Sequence, residues 1–268
     1  MKSSLIVQHE KFSKVVNKIL FLLIALSLFF LPINGLPNRR LFGELSVEGA
    51  FYPMLIAIIL YGLIVIQKGS INKPNLLSFQ LLTLFFAWVL ISGILNFHGI
   101  LTNFTKGRSG IEKFVLQFIL LLFGFFSSIL SYITLKSFNK KDILFIFRKC
   151  ILFSFLFAGI YSLVIEIPAE LGHGWAISIL GFITTIIHGS ESLYLDRLRS
   201  LSGEASWFGM YLSFVFPWLM SYYFTASKTY KYYYLVIIIY ALILTFLTYS
   251  RTAYFIIAFQ IIAFILII

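Results

Sequence analysis

Apolar runs of about 20 residues, the length that crosses a bilayer's hydrocarbon as a helix, recur along this chain and leave little between them. Seven segments qualify, at roughly 15–33, 50–66, 76–95, 114–135, 150–166, 206–224 and 232–249. An eighth, 252–268, is still apolar where the sequence stops. No water-facing core could hide so much. Soluble domains sit nearer roughly 45–50% apolar and about 25% charged, whereas here 60% of 268 residues are hydrophobic and 12% charged. The mean hydropathy is +0.96. The expected fold class is therefore all-α: one polytopic transmembrane helical bundle over 1–268, with about eight spans.

The two ends of the chain carry their own expectations. A basic stretch (Lys11, Lys14, Lys18) precedes the run from Ile19 to Ile33, as in a signal peptide, but "PINGLPNRR" follows in place of a small-x-small cleavage site. The first run is read as an uncleaved span. A protein rarely ends inside a bilayer, so the run at 252–268 leads us to expect a fragment that lacks C-terminal spans.

Charge sets the sidedness. The formal net charge is +11, but the basic residues fall in short clusters between apolar runs rather than in one stripe. That is the pattern of topology signals, not of nucleic-acid binding. With the N-terminus cytoplasmic, most Lys and Arg lie inside, with only Glu10 and Asp142 of the acidic residues. Tyr222, Tyr223, Tyr230, Tyr232, Tyr233 and Tyr234 flank an inner loop at 225–231 as an interfacial belt does. The segment "LGHGWAISILGFITTIIHGS", 171–190, is uncharged but rich in glycine, histidine and hydroxyls. Counting charges does not decide whether it crosses. It is expected as a re-entrant or interface-lying segment near 173–188, inside an outer loop over 167–205. The single cysteine, Cys150, excludes an internal disulfide.

Polar residues within spans (Gln80, Gln117, Gln260, Ser127, Ser128, Ser131) fit helix-to-helix hydrogen bonding. The unusual stretch is "DRLRSLSGEASWFG", 196–209, which places Arg197, Arg199 and Glu204 on the outer side just before a span. The next span pair is a hairpin, so Arg251 in "LTYSRTAYF" returns to that side. Two guanidiniums beside a helix N-terminus make an anion site. The alternative is a set of interface anchors, with Glu204 paired to an arginine. Charge placed twice on one side of a lipid-facing bundle favours a site. His173 and His188, bracketing the ambiguous segment, are general bases by type or structural histidines.

"RLRSLSGEASWFGMYL", followed some forty residues on by "LTYSRTAYF", resembles the paired signature of bacterial O-antigen polymerases and O-antigen ligases. In that superfamily an arginine stands seven residues before an Asn-Pro or Glu-Pro, a span follows, and a Ser-Arg turn comes after the next one. Arg197, Glu204 and Arg251 match. Ala205 departs, standing where the pattern has proline. The likeness covers about 196–260. It implies a GT-C-like bundle and a metal-independent glycosyltransferase needing no cofactor. The reaction would polymerise undecaprenyl-pyrophosphate-linked oligosaccharide repeats of O-antigen, capsule or exopolysaccharide on the outer face of the bacterial cytoplasmic (inner) membrane. Arg197, Arg251 and Glu204 would be catalytic, with Arg199, His173 and His188 binding substrate. Partners would include membrane lipid, a chain-length regulator and a flippase. The resemblance also implies a histidine in a later outer loop, which this chain does not reach. A ligase acting on a lipid A core, and a lipid-linked sugar transporter, remain alternatives. A transporter would place charge at mid-membrane on broken helices, often with repeats, and no repeat is visible.

Overall fold

The computed structural model describes residues 2–34, 36, 48–69, 77–102, 104–105, 108–189 and 196–267. Of the expected loop at 167–205, residues 190–195 lie outside the described residues, as do 76 and 268 at the ends of two expected spans. The expected spans appear as helices: α1 (Lys2–Phe29), α2 (Phe51–Lys68), α3 (Leu77–Leu95), then α5 (Gly110–Lys136) and α6 (Lys140–Tyr161). Further along come α9 (Ala205–Thr225), α10 (Lys228–Leu247) and α11 (Arg251–Ile267). A short α4 (Phe97–Thr102) leads into two-residue strands, β1 (Phe104–Thr105) and β2 (Arg108–Ser109), which pair antiparallel. Helix α6 runs into a π-helical segment, Ser162–Glu166, and a last turn, α7 (Ile167–Glu170). The ambiguous segment forms α8 (Gly174–His188).

Three stretches are long and apolar enough to cross a membrane: Gly110–Lys136, Lys140–Glu170 and Lys228–Leu247. Many of their apolar side chains point outward. Ile119, Phe126, Phe153, Phe157, Val236 and Phe246 are all exposed. In water each exposed Å² would forfeit about 25 cal/mol; against lipid that cost vanishes. Among the described residues the fold is thus all-helical apart from its short ladder, with three helices that fit a membrane protein.

The described residues form two compact units. The first takes in 2–24 and Pro53–Lys140. Val16, Leu20, Ala57 and Leu130 form its buried core, and Phe21 stacks on Phe138 with ring centroids 4.6 Å apart. Its helix α5 starts on "SGIE", a capping pattern in which the Ser109 hydroxyl accepts the Glu112 N–H at 3.3 Å.

The second unit takes in 25–34, 48–52 and 141–267 and is built around α9. Phe208, Leu212, Val215, Phe216 and Leu219 of that helix meet Ile151, Phe155 and Ala158 of α6, Ile238, Ala241 and Leu244 of α10, and Ile257 of α11. Polar pairs inside this core follow from backbone needs. Pro217 has no N–H to donate to the Ser213 carbonyl one turn earlier. The Gln260 side-chain amide of α11 donates to that carbonyl instead, at 3.0 Å, which is the helix-to-helix role expected for Gln260. The Ser154 hydroxyl donates to the Phe29 carbonyl at 2.8 Å, where α1 ends. Its single proton is then spent, so the Tyr211 hydroxyl donates to Ser154 at 2.8 Å.

Candidate functional site

Segment 196–202, the heart of the unusual stretch, crosses the ends of three helices of the second unit as a strap. Its backbone and hydroxyls are pinned in turn. The Leu198 N–H donates to the Leu247 carbonyl at the end of α10, 3.0 Å away. Ser200 Oγ donates to the Ala158 carbonyl of α6 at 2.9 Å, and Ser202 Oγ to the Pro32 carbonyl just beyond α1 at 2.9 Å. The Leu201 carbonyl accepts the Asn34 N–H at 3.3 Å. Asn34 is itself anchored, its side-chain amide donating to Glu48 at 2.6 Å. Burial pushes the Glu48 carboxyl above the usual carboxylate range, and the Asn34 bond opposes that shift.

The strap's main fastening is a residue that sequence reading missed. Glu166, 2% exposed, closes the π-helical segment. One carboxylate oxygen accepts the Arg199 N–H and the other the Ser200 N–H, both at 2.7 Å. Ser162 Oγ adds a longer bond at 3.4 Å. A π segment resets the helical hydrogen-bond ladder and often marks functional positions. At its entry the Ala158 carbonyl takes the strap's Ser200, and the Gly159 carbonyl takes the Tyr240 hydroxyl at 2.6 Å. The available sequence signal was an acid, Glu166, within the apolar run "SLVIEIPAE". A buried carboxylate there needed partners.

The structure brings the expected arginines to one end of the second unit, in different roles. Arg197 is exposed and turns onto the end of α10. Nε donates to the Thr248 carbonyl at 2.9 Å and Nη2 to the Tyr249 carbonyl at 3.2 Å. A cation on the orphan carbonyls of a helix C-terminus also matches the macrodipole. Arg197 is therefore a cap, with further N–H donors left over among the five of a guanidinium. Arg199 is buried, and its charge acts on Glu166 and Tyr161. It belongs to the fastening of the strap. Arg251 opens α11, exposed, with no hydrogen-bond or ion-pair partner among the described residues. A basic residue in a first helical turn opposes the macrodipole, so this guanidinium does not serve its helix.

Glu204 is the N-cap residue of α9 by backbone position, but its side chain makes no capping bond. The exposed carboxylate accepts from Ser206 Oγ at 3.2 Å. Helix α9 begins beside the Arg251 turn because Gly209 lets it. A Cβ at Gly209 would sit 2.8 Å from Ser250 Cβ and 3.0 Å from Ala253 Cβ. Both are backbone-anchored atoms that cannot swing aside. Gly209→Val is expected to lower stability by about 1–3 kcal/mol and to push the Ser250–Arg251 turn outward. Thermal unfolding of the purified variant checks this, and an unchanged melting point refutes it.

Both non-glycine residues with left-handed backbones among the described residues lie here: Ser200 (φ 53°) in the strap and Tyr249 (φ 51°) in the turn that Arg197 holds. Such conformations cost roughly 1–3 kcal/mol each and persist where the surroundings enforce them, often at functional sites.

The histidines are separated. His173 precedes α8 and His188 ends it, some 20 Å apart at about 1.5 Å per residue. They cannot attend the same reacting atom. His173 is the nearer of the two to Glu166 by chain, its N–H donating to the Pro168 carbonyl two residues beyond that carboxylate. Helix α8 packs back along the π segment through Ala176 and Leu180, which meet Tyr161, Ala169 and the strap's Leu201. Glu170, also unforeseen, lies close enough to Asp196 for their charges to act on each other. Among the described residues no three His, Cys, Asp or Glu side chains gather as a metal site requires. Two exposed guanidiniums, a carboxylate and the N-termini of α9 and α11 thus share one end of a helical unit, an arrangement that can hold a phosphorylated ligand. No family model, curated protein or solved structure matches the chain, so the functional reading rests on these residues.

Proposed function

We propose that this protein is a membrane glycosyltransferase that joins oligosaccharide repeat units carried on undecaprenyl pyrophosphate. The observation that carries the reading is the seating of Arg197 on the very turn, Thr248–Tyr249, that presents the unpartnered Arg251. In this reading about eight helices cross a bacterial cytoplasmic membrane in a GT-C-like bundle, the N-terminus is cytoplasmic, and the strap faces outward.

An acceptor hydroxyl attacks the anomeric carbon of the donor glycan. The bond from that carbon to the pyrophosphate oxygen breaks, and the leaving lipid pyrophosphate keeps the electron pair. Its growing charge falls to Arg251, to the free donors of Arg197 and to the N-termini of α9 and α11. Donors fixed before the reaction are worth most in a poorly hydrated site. The acceptor proton goes to a carboxylate, for which exposed Glu204 is placed. Arg199 holds the strap through Glu166 rather than touching the ligand.

The test is complementation of a polymerase-null strain with the gene encoding this chain, reading glycan length on a gel. Long polymer from the wild type and single repeats from Arg251→Ala support polymerisation. Loss of all attached glycan in the variant points to a ligase working on a lipid A core. Undiminished polymer in both Arg197→Ala and Arg251→Ala removes both enzymes and leaves a transporter to be tested.

A further inference from the structure

The opposite end of α9 carries a second basic site. At 21 residues the helix is about 30 Å long, and where it ends, a cavity of about 250 Å³ opens between α6, α9 and α10. Phe145, Tyr222, Tyr230 and Tyr234 wall it with rings, Ala226 and Thr225 close it, and Arg148 is the one charged lining residue among the described residues. The guanidinium is held in place. Its carbon lies 4.0 Å from the centre of the Tyr222 ring, and Nη2 donates to Thr225 Oγ1 at 2.7 Å. Tyr222 stacks in turn on Tyr234 at 5.0 Å. Yet Arg148 Nε is buried without a hydrogen-bond partner among the described residues. A buried, fixed donor left unsatisfied costs free energy that a ligand oxygen would recover.

Positive charge borders the cavity: Lys149 Nζ lies 4.2 Å from the centre of the Phe145 ring, and Lys228 and Lys231 flank Tyr230 at the start of α10. Lys231 lies 5.5 Å from the Tyr223 ring centre. Phe145 and Tyr230 are about 60% exposed, so the mouth is apolar and faces outward from the bundle. A planar guanidinium on an aromatic shelf suits a phosphate. The apolar mouth suits the glycerol and first acyl carbons attached to one. We infer that the cavity binds the phosphate of an anionic phospholipid headgroup, with Arg148 as its direct contact. The site lies a helix length from the Arg251 turn and does not depend on the proposed transferase activity.

The experiment is lipid binding by the purified full chain in detergent, followed by native mass spectrometry and by thermal shift. The probes are phosphatidylglycerol, phosphatidylcholine and inorganic phosphate. Phosphatidylglycerol should be retained at least about tenfold better than phosphatidylcholine. Arg148→Gln should abolish that preference, since it removes a charge-assisted contact. Ala226→Leu narrows the cavity while keeping the Arg148 side chain and should have the same effect, which covers the case of an unstable Arg148 variant. Equal retention of the two lipids, or an unaltered preference in Ala226→Leu, overturns the inference. Stabilisation by inorganic phosphate with no gain from phosphatidylglycerol assigns the donor to a soluble anion and overturns the lipid. Glycan length in the complemented strain reports on the other end of the unit and is read separately.

Discussion

Glu166→Gln is expected to unseat the strap and to cost the protein both stability and product. The native carboxylate offers an acceptor to each of two backbone N–H groups, those of Arg199 and Ser200, at 2.7 Å. A glutamine keeps one oxygen and turns an NH2 towards the other N–H. One buried donor then faces another donor, for a penalty of about 1–3 kcal/mol. Ser200 holds a left-handed backbone at φ 53°, and the fastening that enforces it is the part removed. The melting temperature should fall by several degrees and polymer length should collapse in the complemented strain. Glu166→Asp keeps both acceptors but pulls them back by one methylene, so it should fall between. A glutamine variant that melts and polymerises like the wild type would show the strap to be held by its other bonds alone.

The second large effect separates the two exposed arginines. Arg251→Ala removes a guanidinium that bonds to nothing described in the protein and that opposes its own helix dipole. Stability should therefore hold or rise slightly. Product formation should fall roughly 100- to 1000-fold, the scale for losing a donor to developing negative charge. Arg197→Ala should lower both, because it also strips the cap from Thr248 and Tyr249. Thermal unfolding of each variant beside its polymer profile distinguishes the two. If Arg251→Ala destabilises as much as Arg197→Ala with no added loss of product, Arg251 is an anchor and the transferase reading loses its central residue.

What could be read in advance follows from which forces leave a mark on residue type. Helices α2, α3, α5, α9, α10 and α11 lie within a few residues of the apolar runs, since removing apolar surface from water is written directly into composition. Arg197 and Arg251 share an end because two helices, α9 and α10, lie between them, a matter of counting. Their division of labour was not legible. Arg197 bonds to carbonyls, and carbonyls carry no residue identity. Glu166 was hidden for the same reason, its partners being backbone N–H groups. The distance between His173 and His188 needed the helix to be seen unbroken from Gly174 to His188. Gln260 was legible as a helix-to-helix donor, though not that its acceptor is the carbonyl which Pro217 abandons.

The strap has one more consequence, for the order in which the protein can assemble. Its bonds span 42 residues to Ala158, 51 to Thr248 and 170 to Pro32. Contacts so remote along the chain close only after the intervening stretches have found their places, because the entropy of each loop is lost before the bond forms. An incompletely folded chain therefore has helices but no fastened strap, and the end that carries Arg197 and Arg251 takes shape late and all together.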